Sequence, residues 1–190
     1  MTIVNVGANN GLDQCLAYCM KNSDSINAIH LVEPSGESLQ KCREHYAEFP
    51  QAKFHQLAIV PDNSNKAVFY QPKGNALSGH SSLNRDHLFA HGHGIVEEIF
   101  VEATSLDKFL EKEKVETGGR LYIDTEGLDC QIILSLDLGR WEFKWIEFEN
   151  IHADGPMNKG ATYKACIEKL KGNGYSLRPT TEFNEAASKC

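Results

Sequence analysis

The side chains best suited to chemistry in this 190-residue sequence are acids that follow runs of apolar residues. Glu33 follows Ile29-His-Leu-Val32. Asp124 and Glu126 follow Leu121, Tyr122 and Ile123. Glu149, with His152 close behind, ends the run that starts at Trp145. Each run reads as a strand, and in an open α/β sheet ligands bind beyond the carboxyl ends of the strands. Glu33 stands twenty-two residues after Gly11, a spacing at which an acid accepts both hydroxyls of a ribose. Asp124, Glu126, Glu149 and His152 are candidate bases for a group transfer to a hydroxyl. Strand-end acids can also be simply solvated. For Glu147, deeper on the same face as Glu149, solvation or a pairing partner is the expectation.

The elements that must position these groups begin at the first residues. Ile3, Val4 and Val6 form a β-branched run that ends in Gly7-Ala-Asn-Asn-Gly11, and a helical pattern begins at Leu12. Strand, glycine turn and helix open a nucleotide-binding α/β unit. A dinucleotide needs a glycine where this chain has Asn9, and no Gly-Lys-Ser/Thr phosphate loop occurs. A nicotinamide oxidoreductase is therefore disfavoured. A ligand with a ribose and no phosphate fits better, and S-adenosylmethionine is the common one. The turn's N–H groups and the helix start can then meet its carboxylate. The competing explanation is a tight turn of Gly and Asn, which tolerate positive φ.

Asn5-Val-Gly-Ala-Asn-Asn-Gly11, Val32-Glu-Pro34 and Ile123-Asp-Thr-Glu-Gly127 together resemble the FkbM family of S-adenosylmethionine-dependent methyltransferases. The resemblance continues through Ser81-Ser-Leu83, Thr104-Ser-Leu-Asp107, Glu147-Phe-Glu149 and Gly174-Tyr175. It runs from about Ile3 to Leu177. It implies a Rossmann-like class I methyltransferase fold, α/β, with a mostly parallel sheet and helices on both faces. It implies a cofactor site of Asn5, Gly7, Ala8, Asn9, Asn10, Gly11, Glu33, Pro34, Ala58, Ser82 and Asp124. It favours Asp124 and Glu126 for the chemistry without deciding which acts, and implies a small-molecule acceptor such as a sugar or natural-product scaffold. The family's usual Asp before V-G-A-N is Asn5 here, which can hydrogen-bond but carries no charge. A binding module that holds the cofactor and transfers nothing is the rival expectation. Substituting Gly7 or Glu33 is expected to abolish cofactor binding without unfolding the chain.

Length and composition suit one domain over residues 1–190. A net charge of −7 leaves no electrostatic footprint for nucleic acid or anionic lipid. No apolar run approaches the length of a membrane span, and strand one begins almost at Met1, so no leader is expected. Cys15, Cys19, Cys42, Cys130, Cys166 and Cys190 include no C-x-x-C pair. Reduced thiols in a cytoplasmic protein are the simplest expectation.

Strands are predicted over 2–6, 28–33, 53–60, 67–71, 97–102, 121–124, 145–150 and 175–177. Helices are predicted over 12–21, 36–47, 85–90, 128–136 and 162–171. Ser35 is the expected cap of the second, and Thr104 with Asp107 a capping box opening another that runs to about Glu113. The tail from Thr181 barely supports a strand, and a bare sheet edge there could pair with a second copy.

Residues 72–94 hold four glycines, four histidines and little periodicity. A long loop of this kind is usually functional, and a lid over the cofactor or acceptor is the expectation. His87 and His91, four apart with His93 behind, could share a helix face and hold zinc. No acid or cysteine stands at metal spacing, so histidines facing water are expected instead and no metal is assigned. Asp124, Asp129 and Asn150 as a magnesium set is a minor alternative, with Asp129 an ordinary surface acid.

Overall fold

The computed structural model describes residues 1–75 and 77–189, so Ala76 of the long loop and Cys190 lie outside it. The strands are β1 (Thr2–Val6), β2 (Ala28–Val32), β3 (Ala52–His55), β4 (Ala58–Ile59), β5 (Lys66–Pro72), β6 (Val96–Thr104), β7 (Arg120–Ile123), β8 (Trp145–Glu149), β9 (Ser176–Pro179) and β10 (Asn184–Ser188). The helices are α1 (Gln14–Asn22), α2 (Gly36–His45), α3 (Arg85–Ala90), α4 (Leu106–Lys112), α5 (Asp129–Ser135) and α6 (Ala161–Gly172). Seven strands form one sheet in the order β3-β2-β1-β7-β8-β10-β9. Only β10 runs antiparallel to its neighbours. A second sheet, β4-β6-β5, stands beside it.

All five residues of β1 are buried, as expected of a central parallel strand covered on both faces. Alternate residues serve opposite layers. Ile3 packs with Cys15 and Cys19 of α1 and with Cys42 and Tyr46 near α2. Val4 and Val6 pack with Phe109, Ile132, Ile133 and Leu170 from α4, α5 and α6. Each such side chain contributes roughly 1.5–3 kcal/mol. The five described cysteines are buried and unpaired, and pack as small apolar groups. Among the described residues, no helix is long and apolar enough to cross a membrane.

Several predicted boundaries move. The first helix starts at Gln14, because Asp13 caps it by accepting the Leu16 N–H and leaves Leu12 exposed. The predicted third strand splits at Gln56 and Leu57, and its two halves join different sheets. Thr104 ends β6, so Ser105, without a side-chain cap bond, precedes α4, and Asp107 accepts the Asp137 N–H instead. A last strand does form. Ala186 and Ala187 of β10 are fully buried between β8 and β9, where small side chains and ladder hydrogen bonds outweigh a weak strand propensity. Glu147 is buried and paired, accepting from Trp145 Nε1 and Thr180 Oγ1. Arg120 and Arg178 both lie over the ring of Trp145.

Candidate functional site

The turn after β1 is held from both sides. The N–H groups of Gly7 and Ala8 both donate to Val32 O, at the end of β2. Gly7 has φ +79°, and a Cβ there would stand 1.8 Å from the Asp124 carbonyl oxygen. Any larger residue would push β1 from β7. The expectation that a Gly7 substitution spares the fold is therefore corrected. Asn9 also has positive φ, and its N–H donates to Glu33 Oε2 (3.0 Å), while the Ser35 N–H donates to Oε1 (2.8 Å). Glu33 is buried, and burial pushes its pKa up to about 7.

This turn opens on a cavity of about 180 Å³. Glu33, Asp124 and Glu126 form an acidic side, and Leu57, Ile59 and Phe69 an apolar one. Of the residues expected at the cofactor, Gly7, Asn9, Glu33, Pro34, Ala58 and Asp124 line this cavity. The rest build its frame. Asn5 donates to Asp13 Oδ2 at 2.6 Å, so Asp13 brings a carboxylate to the neutral amide. Ala8 is buried against α1 and α2, Asn10 accepts the Leu12 N–H, and Gly11 packs against Cys42 and Tyr46. The Ser82 hydroxyl donates to the Glu126 carbonyl (2.8 Å), while its neighbours Ser81 and Leu83 reach the cavity. The loop thus closes one wall of the cavity through Ser78, Gly79, Ser81 and Leu83.

The catalytic candidates gather at the ends of β7 and β8. Asp124 opens into the cavity, yet protein surrounds it closely enough that burial, then the charges of Asp129 and Glu126, raise its pKa. Glu126 has φ +55°, a left-handed conformation that costs a non-glycine residue about 1 kcal/mol or more. Burial lifts its carboxyl to about 7 and that of Glu149 to about 9. Glu149 and His152 do not line the cavity. They meet behind Glu126, with His152 Nε2 3.9 Å from Glu149 Oε1.

Two expectations are corrected here. Asp129 is a buried clamp, not a surface acid: it accepts from the Thr125 N–H, the Thr125 hydroxyl and the Glu149 N–H. The loop histidines do not all face water. His87 is 1% exposed and its Nε2 stands 2.8 Å from Glu126 Oε2, an approach that spacing could not show because Glu126 is thirty-nine residues away. Burial holds His87 and His91 below the ordinary histidine pKa and lowers His152 to about 4.

A family model described as the methyltransferase FkbM domain matches residues 5–177. Among solved structures, the fold is similar to a methyltransferase FkbM from Methylobacillus flagellatus KT, at 11% identity and a TM-score of 0.56. That match covers 98% of this chain and 43% of the other, so the chain spans less than half of that structure's length. It is also similar to the fibrillarin pre-rRNA processing protein of Methanococcus jannaschii, at 11% identity and a TM-score of 0.53, covering 99% of this chain and 66% of that one. The search of curated proteins gave no match. The seven-stranded order, with one antiparallel strand next to an edge, is that of class I S-adenosylmethionine-dependent methyltransferases.

Proposed function

Since the chain belongs to the FkbM methyltransferase family, we propose that it moves the methyl group of S-adenosylmethionine to a hydroxyl oxygen of a small-molecule acceptor, of the sugar or natural-product class. The observation that carries this reading is the position of Glu33. Two backbone N–H groups fix its carboxylate at the lip of the cavity. Each of its oxygens keeps a lone pair for one ribose hydroxyl. Leu57, Ile59 and Phe69 then offer an apolar slot for the base, and Asp124 a carboxylate for the cofactor's cationic end.

In the transfer, an acceptor oxygen attacks the methyl carbon in line with the sulfur. The C–O bond forms as the C–S bond breaks, and its electron pair stays on sulfur, which becomes a neutral thioether. The hydroxyl proton passes to Glu126, which lines the cavity with a pKa near 7, suited to accepting and releasing a proton. The loop from Ser78 to Leu83 excludes water. Residues 1–190 act as one domain in this reading, and the five unpaired thiols favour a cytoplasmic setting. Nucleic acid and membrane have no part in it, and the exposed edge strand β9 is where a second copy would pair.

Calorimetric titration with S-adenosylmethionine and S-adenosylhomocysteine, with NAD and ATP as controls, tests the cofactor. Micromolar binding of the first two alone is expected. A folded protein that binds neither would overturn the assignment.

A further inference from the structure

On the far side of Glu126 from the cavity, the structure gathers groups that methyl transfer does not itself require. α3 turns His87 inward, its C-cap His91 follows, and the segment after β8 brings His152 against both. Ring centroids stand 4.5 Å apart for His87–His91, 4.6 Å for His87–His152 and 5.3 Å for His91–His152. A ligand-type atom from each of these three lies within 4.8 Å of the others, and the same holds for Glu126, Glu149 and His152. His152 belongs to both triads, so five side chains from three separate segments meet around it.

The polar atoms in this cluster are not satisfied by the protein. Nε2 of His87, Nε2 of His91 and Oε2 of Glu149 are shut off from solvent and make no hydrogen bond among the described residues. His87 Nε2 stands 2.8 Å from Glu126 Oε2 but is not aligned for a hydrogen bond. One unpaired buried polar atom costs about 1–3 kcal/mol. Three of them together, all lone-pair donors, point to a missing electron-pair acceptor. Ordinary packing would leave such atoms apart or joined to one another.

We propose that His87, His91, Glu126 and Glu149 coordinate a divalent first-row transition-metal ion of the zinc class. Imidazole and carboxylate together suit such an ion, and four donors complete a tetrahedral shell. His87 of α3 and His91, the helix's C-cap four residues on, bring their rings together, with centroids 4.5 Å apart. Donors about 2.0–2.2 Å from zinc stand roughly 3.4 Å from one another. Within each triad the donor atoms lie within 4.8 Å of one another, and the 2.8 Å approach of His87 Nε2 to Glu126 Oε2 joins the two pairs, so the glutamates rotate toward the histidines to close the shell. His152 is the positioning residue. Its Nδ1 accepts the Met157 N–H (3.0 Å), so the proton of the neutral ring is on Nε2 and faces Glu149. An N–H directed at a ligating carboxylate is a common outer-shell partner.

Metal binding stands independently of the methyl-transfer reading, but the use of the ion rests on it. An ion on the histidine side of Glu126 fixes that carboxylate and keeps it ionised where it lines the cavity.

The test is titration of the untagged, chelator-dialysed full chain with zinc by calorimetry, and with cobalt(II) by visible absorption. One equivalent of zinc and the intense cobalt bands of a tetrahedral site are expected. His91 is only half-buried, so His91→Ala should fold, as circular dichroism will show, and should lose the ion; Glu149→Gln should do the same. His152→Gln should keep one equivalent with roughly 10–100-fold weaker affinity. His55→Ala, in the separate His30–His55–Glu113 cluster, should change nothing. No zinc on a folded protein, zinc retained by His91→Ala, or zinc lost from His55→Ala would overturn the site. S-adenosylmethionine is titrated in parallel. Its binding without zinc sinks the metal site alone, and zinc binding without it sinks the methyltransferase reading alone.

Discussion

Glu33→Gln should separate stability from cofactor binding, and the pH dependence of both follows from one pKa. Burial holds the Glu33 carboxyl at about 7 against an ordinary glutamate value of 4.5. A raised acid binds its proton more tightly in the folded chain than in the unfolded one. Its penalty on stability is thus absent below pH 4.5, grows as pH rises through 7 and is complete above it. At about 1.36 kcal/mol per pKa unit, the wild type loses about 2.5 kcal/mol from this group between pH 5 and pH 8.5. Glutamine cannot ionise and escapes that loss. It also accepts only one of the two backbone N–H groups that Glu33 now accepts, leaving a donor facing its amide, at about 1–3 kcal/mol. Urea unfolding should therefore find the variant less stable at pH 5 and roughly equal to the wild type at pH 8.5.

Binding should move the other way. The ionised carboxylate is the better acceptor for two ribose hydroxyls, so wild-type affinity for S-adenosylmethionine should rise about tenfold from pH 6 to pH 8, as ionisation goes from about a tenth to nine tenths. The variant should bind about 100-fold more weakly at pH 8, from loss of roughly 3 kcal/mol of charge-assisted hydrogen bonding. Its affinity should also respond less to pH over that range. If the stability difference stays constant across pH, Glu33 is not holding a proton in the free protein. If the variant binds as well as the wild type, Glu33 is not the ribose acid.

Three further substitutions probe the other end of the site. Glu126→Gln should lower kcat by about 10²–10⁴ while leaving the cofactor dissociation constant nearly unchanged, and the rate of the metal-free wild type should rise with pH through about 7, measured by steady-state methyl transfer. Ser82→Ala removes the hydroxyl that holds the strained Glu126 carbonyl; it should cost about 1 kcal/mol in urea unfolding and lower kcat with little change in cofactor affinity. Asp129→Ala leaves the Thr125 N–H, the Thr125 hydroxyl and the Glu149 N–H without their acceptor, and should lower stability by about 2–4 kcal/mol.

Local signals carried much of the framework. The apolar run at Ile3 to Val6 and the strand ending at Glu33 are written in neighbouring residues, and they place the turn and the Glu33 carboxylate together. Helix α3 fell at its predicted bounds because Asn84 caps it by accepting the Asp86 N–H. What stayed hidden depended on distant partners. β10 has two alanines and no apolar run, and exists because β8 and β9 leave it a narrow slot between them. Ser82 was expected at the cofactor for its place in a motif. Its hydroxyl donates to a carbonyl forty-four residues away, a partner that no spacing announces. His87 and His91 looked like solvated loop residues because their acids come from β7 and β8, which the chain reaches only later.

Hydrogen-bond donors distinguish the clustered acids more clearly than their positions in motifs do. Asp129 accepts three hydrogen bonds, which stabilise its charge and assign it to holding the turn and strand end together. Glu33 accepts two and keeps lone pairs directed into the cavity. The Asp124 carboxylate accepts none among the described residues, and Glu149 Oε2 is buried without a partner. Burial alone makes the ionised form of each of these acids unfavourable, and each neighbouring carboxylate that ionises adds to the cost. A cation reverses both effects. Asp124 faces the cavity and Glu149 faces the histidines. The two unsatisfied acids therefore face two different places for positive charge: a sulfonium on the cavity side and a metal ion on the histidine side. Glu126 lies between them, lining one and touching the other. If both places fill, its pKa should fall below 7, leaving it ionised over the working pH range.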